Sequence, residues 1–202
     1  MGTAYYHILT DEVLDADDFW LSKMQGELIC PQCWLVNAPE KGIDVVLAVR
    51  DSVHVTAVSG IPVLSREFLG ALGGSVLLPY LHTGRVLLPN SEEMPNLVAV
   101  KGKQIVYLRG RRESKCCRCH TCGHLLYGAG HARNRRYILR SQLRPGWPVY
   151  ESDTWQLVVS APLVDAARRR RWGKVWFEPI RVVDEPEDGF PTDLEEFDRT
   201  GR

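Results

Sequence analysis

The sequence predicts an α+β fold: antiparallel or mixed sheets with a few helices, closed by a zinc-ribbon-like knuckle. Three observations carry this. Short apolar runs rich in β-branched residues, broken by Gly, Pro, Asn and Ser, fill residues 43–108. Two segments pass from a strand through a Ser into an amphipathic helix and on to another strand. Two cysteine pairs with knuckle spacing, Cys30-Pro31-Gln32-Cys33 and Cys119-His120-Thr121-Cys122, stand with 85 residues between them.

Residues 5–8 read as a short strand. Thr10 then offers an N-cap, with Asp11 and Glu12 where the helix dipole favours acids. Val13, Ala16, Trp20 and Met24 share one helical face and Gly26 is a fitting stop, which predicts a helix over 11–25. Strands are predicted at 43–49, 53–58, 76–78, 86–88, 97–100 and 105–108, and after the second knuckle at 125–127 and 137–139. One pattern occurs twice. Val63-Leu64-Ser65 leads into a helix over 65–73, and Val158-Val159-Ser160 into a helix over 160–171. In each copy a strand follows and ends before Pro, at 76–78 before Pro79 and 175–177 before Pro179. A true internal repeat and a coincidence of capped helices account for this pattern about equally well.

From Asp184 the chain turns acidic and rich in Pro and Gly, which predicts an exposed tail. The expected organisation is a single two-lobed domain over 1–190 and an exposed tail over 191–202. Within the domain, lobe one covers 1–112, a knuckle segment 113–136 and a C-terminal lobe 137–190.

An apolar fraction of 45% and a charged fraction of 25% place the chain among ordinary globular proteins and exclude fibrous or fully disordered classes. No stretch approaches the ~20 apolar residues that span a bilayer, and residues 1–14 lack the basic and apolar regions of a signal peptide. A cytoplasmic location is therefore expected, where thiols stay reduced and bind metal rather than pair. Net charge is zero but uneven. Residues 1–100 hold 12 acidic and 5 basic side chains; residues 101–202 hold 13 acidic and 20 basic. The excess is densest over 101–144, with 12 Lys or Arg against Glu113 alone. Two halves of opposite charge that attract each other, or a basic surround for a doubly negative Cys₄ zinc site, explain it best. The alternative is a zinc-ribbon-like nucleic-acid-binding or regulatory protein that uses this segment, flanked by Arg109-Gly110-Arg111-Arg112 and Arg133-Asn134-Arg135-Arg136.

Four thiolates close a tetrahedron and leave no open position, so the expected site is structural Zn²⁺ held by Cys30, Cys33, Cys119 and Cys122. The spacing also admits Cys116, Cys117, His120, His124 or His131 in place of one ligand. Gly123 supplies the flexible backbone a knuckle turn needs, which favours Cys119 and Cys122. Nucleophile elbow, Walker loop, dinucleotide fingerprint and HExxH are absent from the sequence, so no catalytic residues are expected. His7, His54 and His82 stand alone and read as packing or surface histidines.

The two separated knuckles resemble the myxobacterial double-CXXCG family, immunity proteins against swarm-inhibition toxins. The segment from Tyr150 through Trp155 to Ser160, the following helix, and Gly173-Lys174-Val175-Trp176-Phe177-Glu178-Pro179-Ile180 resemble that family's C-terminal ending, as they do endings of related bacterial immunity proteins. Cys119–Gly123 fits the motif in full, whereas Trp34 stands where the family has the first motif's glycine. The resemblance covers the knuckles and about fifty C-terminal residues. It implies a non-enzymatic protein that binds a cognate toxin and occludes its active surface. The acidic N-terminal half would suit a basic nuclease toxin, since opposite charge speeds encounter.

Overall fold

The structure is a computed structural model that describes residues 4–12, 14–27, 30, 32, 43–58, 60–108, 116–121, 125–127, 137–152 and 156–185. In chain order its elements are β1 (Tyr5–Thr10), α1 (Asp18–Glu27), β2 (Val45–Val46), β3 (Val55–Val58), β4 (Ile61–Ser65), α2 (Arg66–Leu72), β5 (Leu81–Gly84), β6 (Val86–Leu87), β7 (Leu97–Gly102) and β8 (Ile105–Val106). Then come β9 (Cys116–Arg118), β10 (Leu125–Tyr127), β11 (Tyr137–Leu139), β12 (Val149–Ser152), β13 (Leu157–Ser160), α3 (Ala161–Ala167) and β14 (Val175–Val183). The α+β expectation holds. A four-stranded sheet runs β3-β4-β7-β5 and a six-stranded mixed sheet runs β11-β14-β1-β13-β12-β8. Two small ribbons, β2-β6 and β9-β10, complete the fold. Among the described residues no helix is long and apolar enough to cross a membrane.

The two main sheets contain the same unit. The order β3-β4-β7-β5 matches β12-β13-β1-β14, and every neighbouring pair within either set is antiparallel. The match extends to single hydrogen bonds. Ser65 N–H donates to the His54 carbonyl (2.8 Å) and Ser160 N–H to the Pro148 carbonyl (2.9 Å). Arg66 N–H reaches the Asn96 carbonyl and Ala161 N–H the Ala4 carbonyl, each at 2.8 Å. Ser65 pairs with Leu97 in the first unit as Ser160 pairs with Tyr5 in the second. The twice-written sequence pattern is therefore a structural repeat. The counterpart of β7, which follows β5 in the first unit, is β1, taken from the other end of the chain. So β1 and β8, placed by sequence order with residues 1–112, both lie in the six-stranded sheet with β11 to β14.

β4, β7, β12 and β13 are buried on both faces, which explains why β4, β7 and β13 are near-continuous apolar runs rather than alternating ones, whereas β14 keeps much of its length exposed. Between the units lies a central core. Phe68, Leu69 and Leu72 of α2 meet Val164 and Ala167 of α3 over Leu64, Val98, Ile8 and Val159. Trp172 stands edge-on to Phe68 at 5.0 Å and seals one end. An outer core behind the four-stranded sheet holds Val63, Ile61 and Ala99 against Trp20 and Met24 of α1 and Val45 and Leu47. A third, behind the six-stranded sheet, holds Tyr5, Tyr150, Val158, Ile138 and Val106. Ten-residue α1 thus shows the predicted Trp20–Met24 face, and the two repeat helices are internal.

Several elements differ from the sequence expectation, each for a physical reason. The helix predicted over 11–25 begins at Asp18 instead. β1 runs on to Thr10, whose Oγ1 accepts from Glu12 N–H (3.0 Å) in a local turn rather than capping a helix. Asp17 caps, its Oδ1 accepting from Trp20 N–H at 2.9 Å. The residues before it are drawn out by β2: Asp17 N–H donates to the Val46 carbonyl, and Ala48 N–H to the Asp15 carbonyl. Val13 lies outside the described residues. The strand predicted at 76–78 is two short 3₁₀ turns, Gly74–Val76 and Leu78–Tyr80, and the strand proper is β5. Gly73 and Gly74 take φ of +130° and +53°, so the chain turns where apolar content suggested extension. The helix predicted to run to 171 stops at Ala167. Ser65 caps α2 through Phe68 N–H (3.1 Å), whereas Ser160 makes no side-chain cap bond and is followed by Pro162 in the first turn, which leaves the Leu163 N–H as the single donor within its reach. The expected exposed tail, 191–202, lies outside the described residues.

Candidate metal centre

The first knuckle follows the end of α1. Cys119 follows β9 directly, in the loop that joins the antiparallel β9-β10 hairpin. Tertiary folding brings the two together. Cys30 Sγ lies 3.6 Å from Cys119 Sγ, and the residues are 3% and 2% exposed. Gln32 braces the junction from the first knuckle. Its Oε1 accepts from Thr121 Oγ1–H at 2.7 Å and lies 3.5 Å from Cys119 Sγ.

The sulfur separation discriminates among the chemistries two thiols can carry. A disulfide needs about 2.05 Å, so these are free thiols in contact. Two ligands of one tetrahedral zinc, each about 2.3 Å from the metal, stand about 3.8 Å apart. The pair therefore fits a shared metal with a few tenths of an ångström of adjustment. Of the remaining ligands named from sequence, Cys33, Cys122, His124 and His131 lie outside the described residues. Among the described residues no group of three or more metal-ligating side chains is assembled. Exposed His120 sits in the same loop, and β9 carries Cys116 and Cys117 in its backbone ladder with Tyr127 and Leu126.

Other polar groups that sequence reasoning left unassigned resolve into structural roles. His54 Nδ1 is 3.3 Å from Ser65 Oγ, beside a cleft of about 780 Å³ bordered by Arg50, Arg66 and Glu67. That hydroxyl is the α2 cap, and the imidazole stands edge-on to Trp172 at 5.0 Å. The contact thus ties β3 and β4 to the central core. His7 is buried at 1% in the six-stranded sheet. Tyr150 O–H donates to the Arg144 carbonyl and accepts from Arg144 N–H, and burial pushes its pKa up to about 12.

Glu151 is the group the sequence did not single out. It is 6% exposed on β12, and its Oε2 accepts from Gly102 N–H of β7 at 3.1 Å, which bridges the two main sheets. Burial pushes its pKa up to about 7, partly offset by Lys101 and the Gly102 hydrogen bond. It borders a cavity of about 10 Å³, the lower limit for one water. No pattern could have flagged it, because its burial comes from a strand about fifty residues away. Among protein-family models and curated proteins, none matches this sequence.

Proposed function

We propose that this chain is a non-enzymatic binding protein, an immunity protein that neutralises a cognate bacterial toxin by direct contact. In this reading a structural Zn²⁺ is held by Cys30, Cys33, Cys119 and Cys122. The observation that carries it is the meeting of two knuckles from opposite ends of a long insertion, at 3.6 Å between buried sulfurs. Widely separated knuckles are what relate the sequence to the double-CXXCG proteins, and a shared metal would lock them. The metal would supply cross-linking alone, since four thiolates leave it no vacant position for substrate.

The test is protection. The open reading frame next to this gene is expressed in a naive bacterial host with and without the chain. Restored growth and co-purification of the two products is the expected result. A neighbour that kills regardless of this chain would remove the proposal. Zinc is measured separately, by metal analysis of the purified protein, with one equivalent expected per chain.

A further inference from the structure

We propose that the groove between the 14–18 segment, α1 and Ala48 is the docking surface for a basic face of the cognate toxin, with Phe19 as its apolar anchor. This rests on the toxin-neutralising reading and names the surface that performs it. The groove has a volume of about 580 Å³ and is lined by apolar Leu14, Leu21 and Ala48 together with acidic Asp15, Asp17 and Asp18. Phe19, next to Asp18, is 81% exposed, and Val49, next to Ala48, is 63% exposed. The core does not need Phe19, because Trp20 and Met24 are the residues α1 buries. A large aromatic left in water, next in the chain to the groove residue Asp18, is the kind of feature that marks an interface.

Two further features support an interface. The segment is held before any partner arrives. Asp17 N–H donates to the Val46 carbonyl (2.9 Å), Ala48 N–H donates to the Asp15 carbonyl (3.0 Å), and Ala16 bridges Leu47. Binding there orders little new backbone, which lowers its entropic cost. The charge is also available. Among the described residues Asp15, Asp17 and Asp18 make no ion pair, whereas Glu12, Asp44, Glu67, Glu92 and Asp184 pair with Lys174, Arg85, Arg170, Arg50 and Arg140. Charge also chooses the occupant. A second copy in a two-fold contact would bring the same three carboxylates face to face, and a nucleic acid would bring phosphates, so both are repelled. A lysine- or arginine-bearing protein face is attracted.

The experiment measures binding of the purified toxin to wild type, Phe19→Ala and the double variant Asp15→Lys/Asp18→Lys. Asp17 is left intact because it caps α1. Phe19→Ala should weaken affinity by roughly 10- to 100-fold with unchanged melting temperature. The charge reversal should slow association by about tenfold or more at low salt, with the difference shrinking at high salt. If wild type binds and protects while both variants bind equally well, the surface is wrong and the immunity reading stands. If wild type binds no toxin, the immunity reading falls and the docking assignment falls with it. A wild-type dimer in light scattering that Phe19→Ala converts to monomer would assign the groove to self-association and overturn the proposal.

Discussion

Replacing Glu151 by Gln tests how the two sheets are joined. The carboxyl is 6% exposed, is held by Gly102 N–H at 3.1 Å, and has its pKa pushed from 4.5 to about 7, chiefly by burial. A raised carboxyl pKa means the folded state binds the proton more tightly than the unfolded state. The contribution of this group is therefore complete below pH 4.5 and is lost as pH rises through about 7. At roughly 1.4 kcal/mol per pH unit, the loss reaches about 3 kcal/mol above neutrality. Glutamine keeps an oxygen that can accept from Gly102 and carries no charge to desolvate. The difference in stability between Glu151→Gln and wild type should then grow by about 3 kcal/mol from pH 5 to pH 8, in favour of the variant. Urea unfolding of both proteins across that range measures it. Release of a metal at low pH would affect both alike and cancel in the difference. A difference that stays constant between pH 5 and pH 8 would show that Glu151 is not held protonated, and the account of the sheet junction would fail.

Other outcomes follow from close contacts, caps, the metal and the repeat. A Cβ at Gly102 would lie 2.4 Å from Glu151 N, and one at Gly84 would lie 1.9 Å from the Ile43 oxygen. Each Gly→Ala change should therefore cost at least about 2 kcal/mol in denaturant unfolding, whereas Gly70→Ala, with nothing within 4 Å, should be neutral or stabilising. Ser65→Ala should cost about 1 kcal/mol and Ser160→Ala a few tenths, since only the first makes a cap bond; equal costs would contradict the cap assignment. Cys119→Ser should abolish zinc in metal analysis and lower the melting temperature by several degrees, while a wild type with no zinc and an unchanged variant melt would dismiss the metal. Deleting residues 1–10 removes β1 from between β13 and β14. The truncated chain should lose cooperative unfolding and recover it when a synthetic peptide of residues 1–12 is added, as read by circular dichroism.

Much of this protein was legible in its residues. The α+β class, the buried β-runs, the Ser65 cap, the Trp20–Met24 face and the strands at 125–127 and 137–139 all follow from local pattern, because caps, periodicity and turn residues act within a few positions. Local pattern also showed the same strand-to-helix junction twice. It erred where two local solutions competed. Thr10 and Asp17 are both competent caps, and the backbone bonds of Asp15 and Asp17 to the β2 ribbon decided between them. Val76 and Leu78 are good strand residues, but positive φ at Gly73 and Gly74 turns the chain first.

What the sequence determined by itself is most of the parts: the three helices, the buried strands, and two thiol pairs with knuckle spacing. Only the tertiary structure decided their assembly. It placed β1 in the second copy of the repeat, brought Cys30 within 3.6 Å of Cys119, and buried Glu151 against Gly102. The reason is range. A cap or a helical face is settled by neighbours a few residues apart, whereas these three contacts join residues from 49 to about 150 positions apart, whose meeting depends on how the sheets close over a shared core.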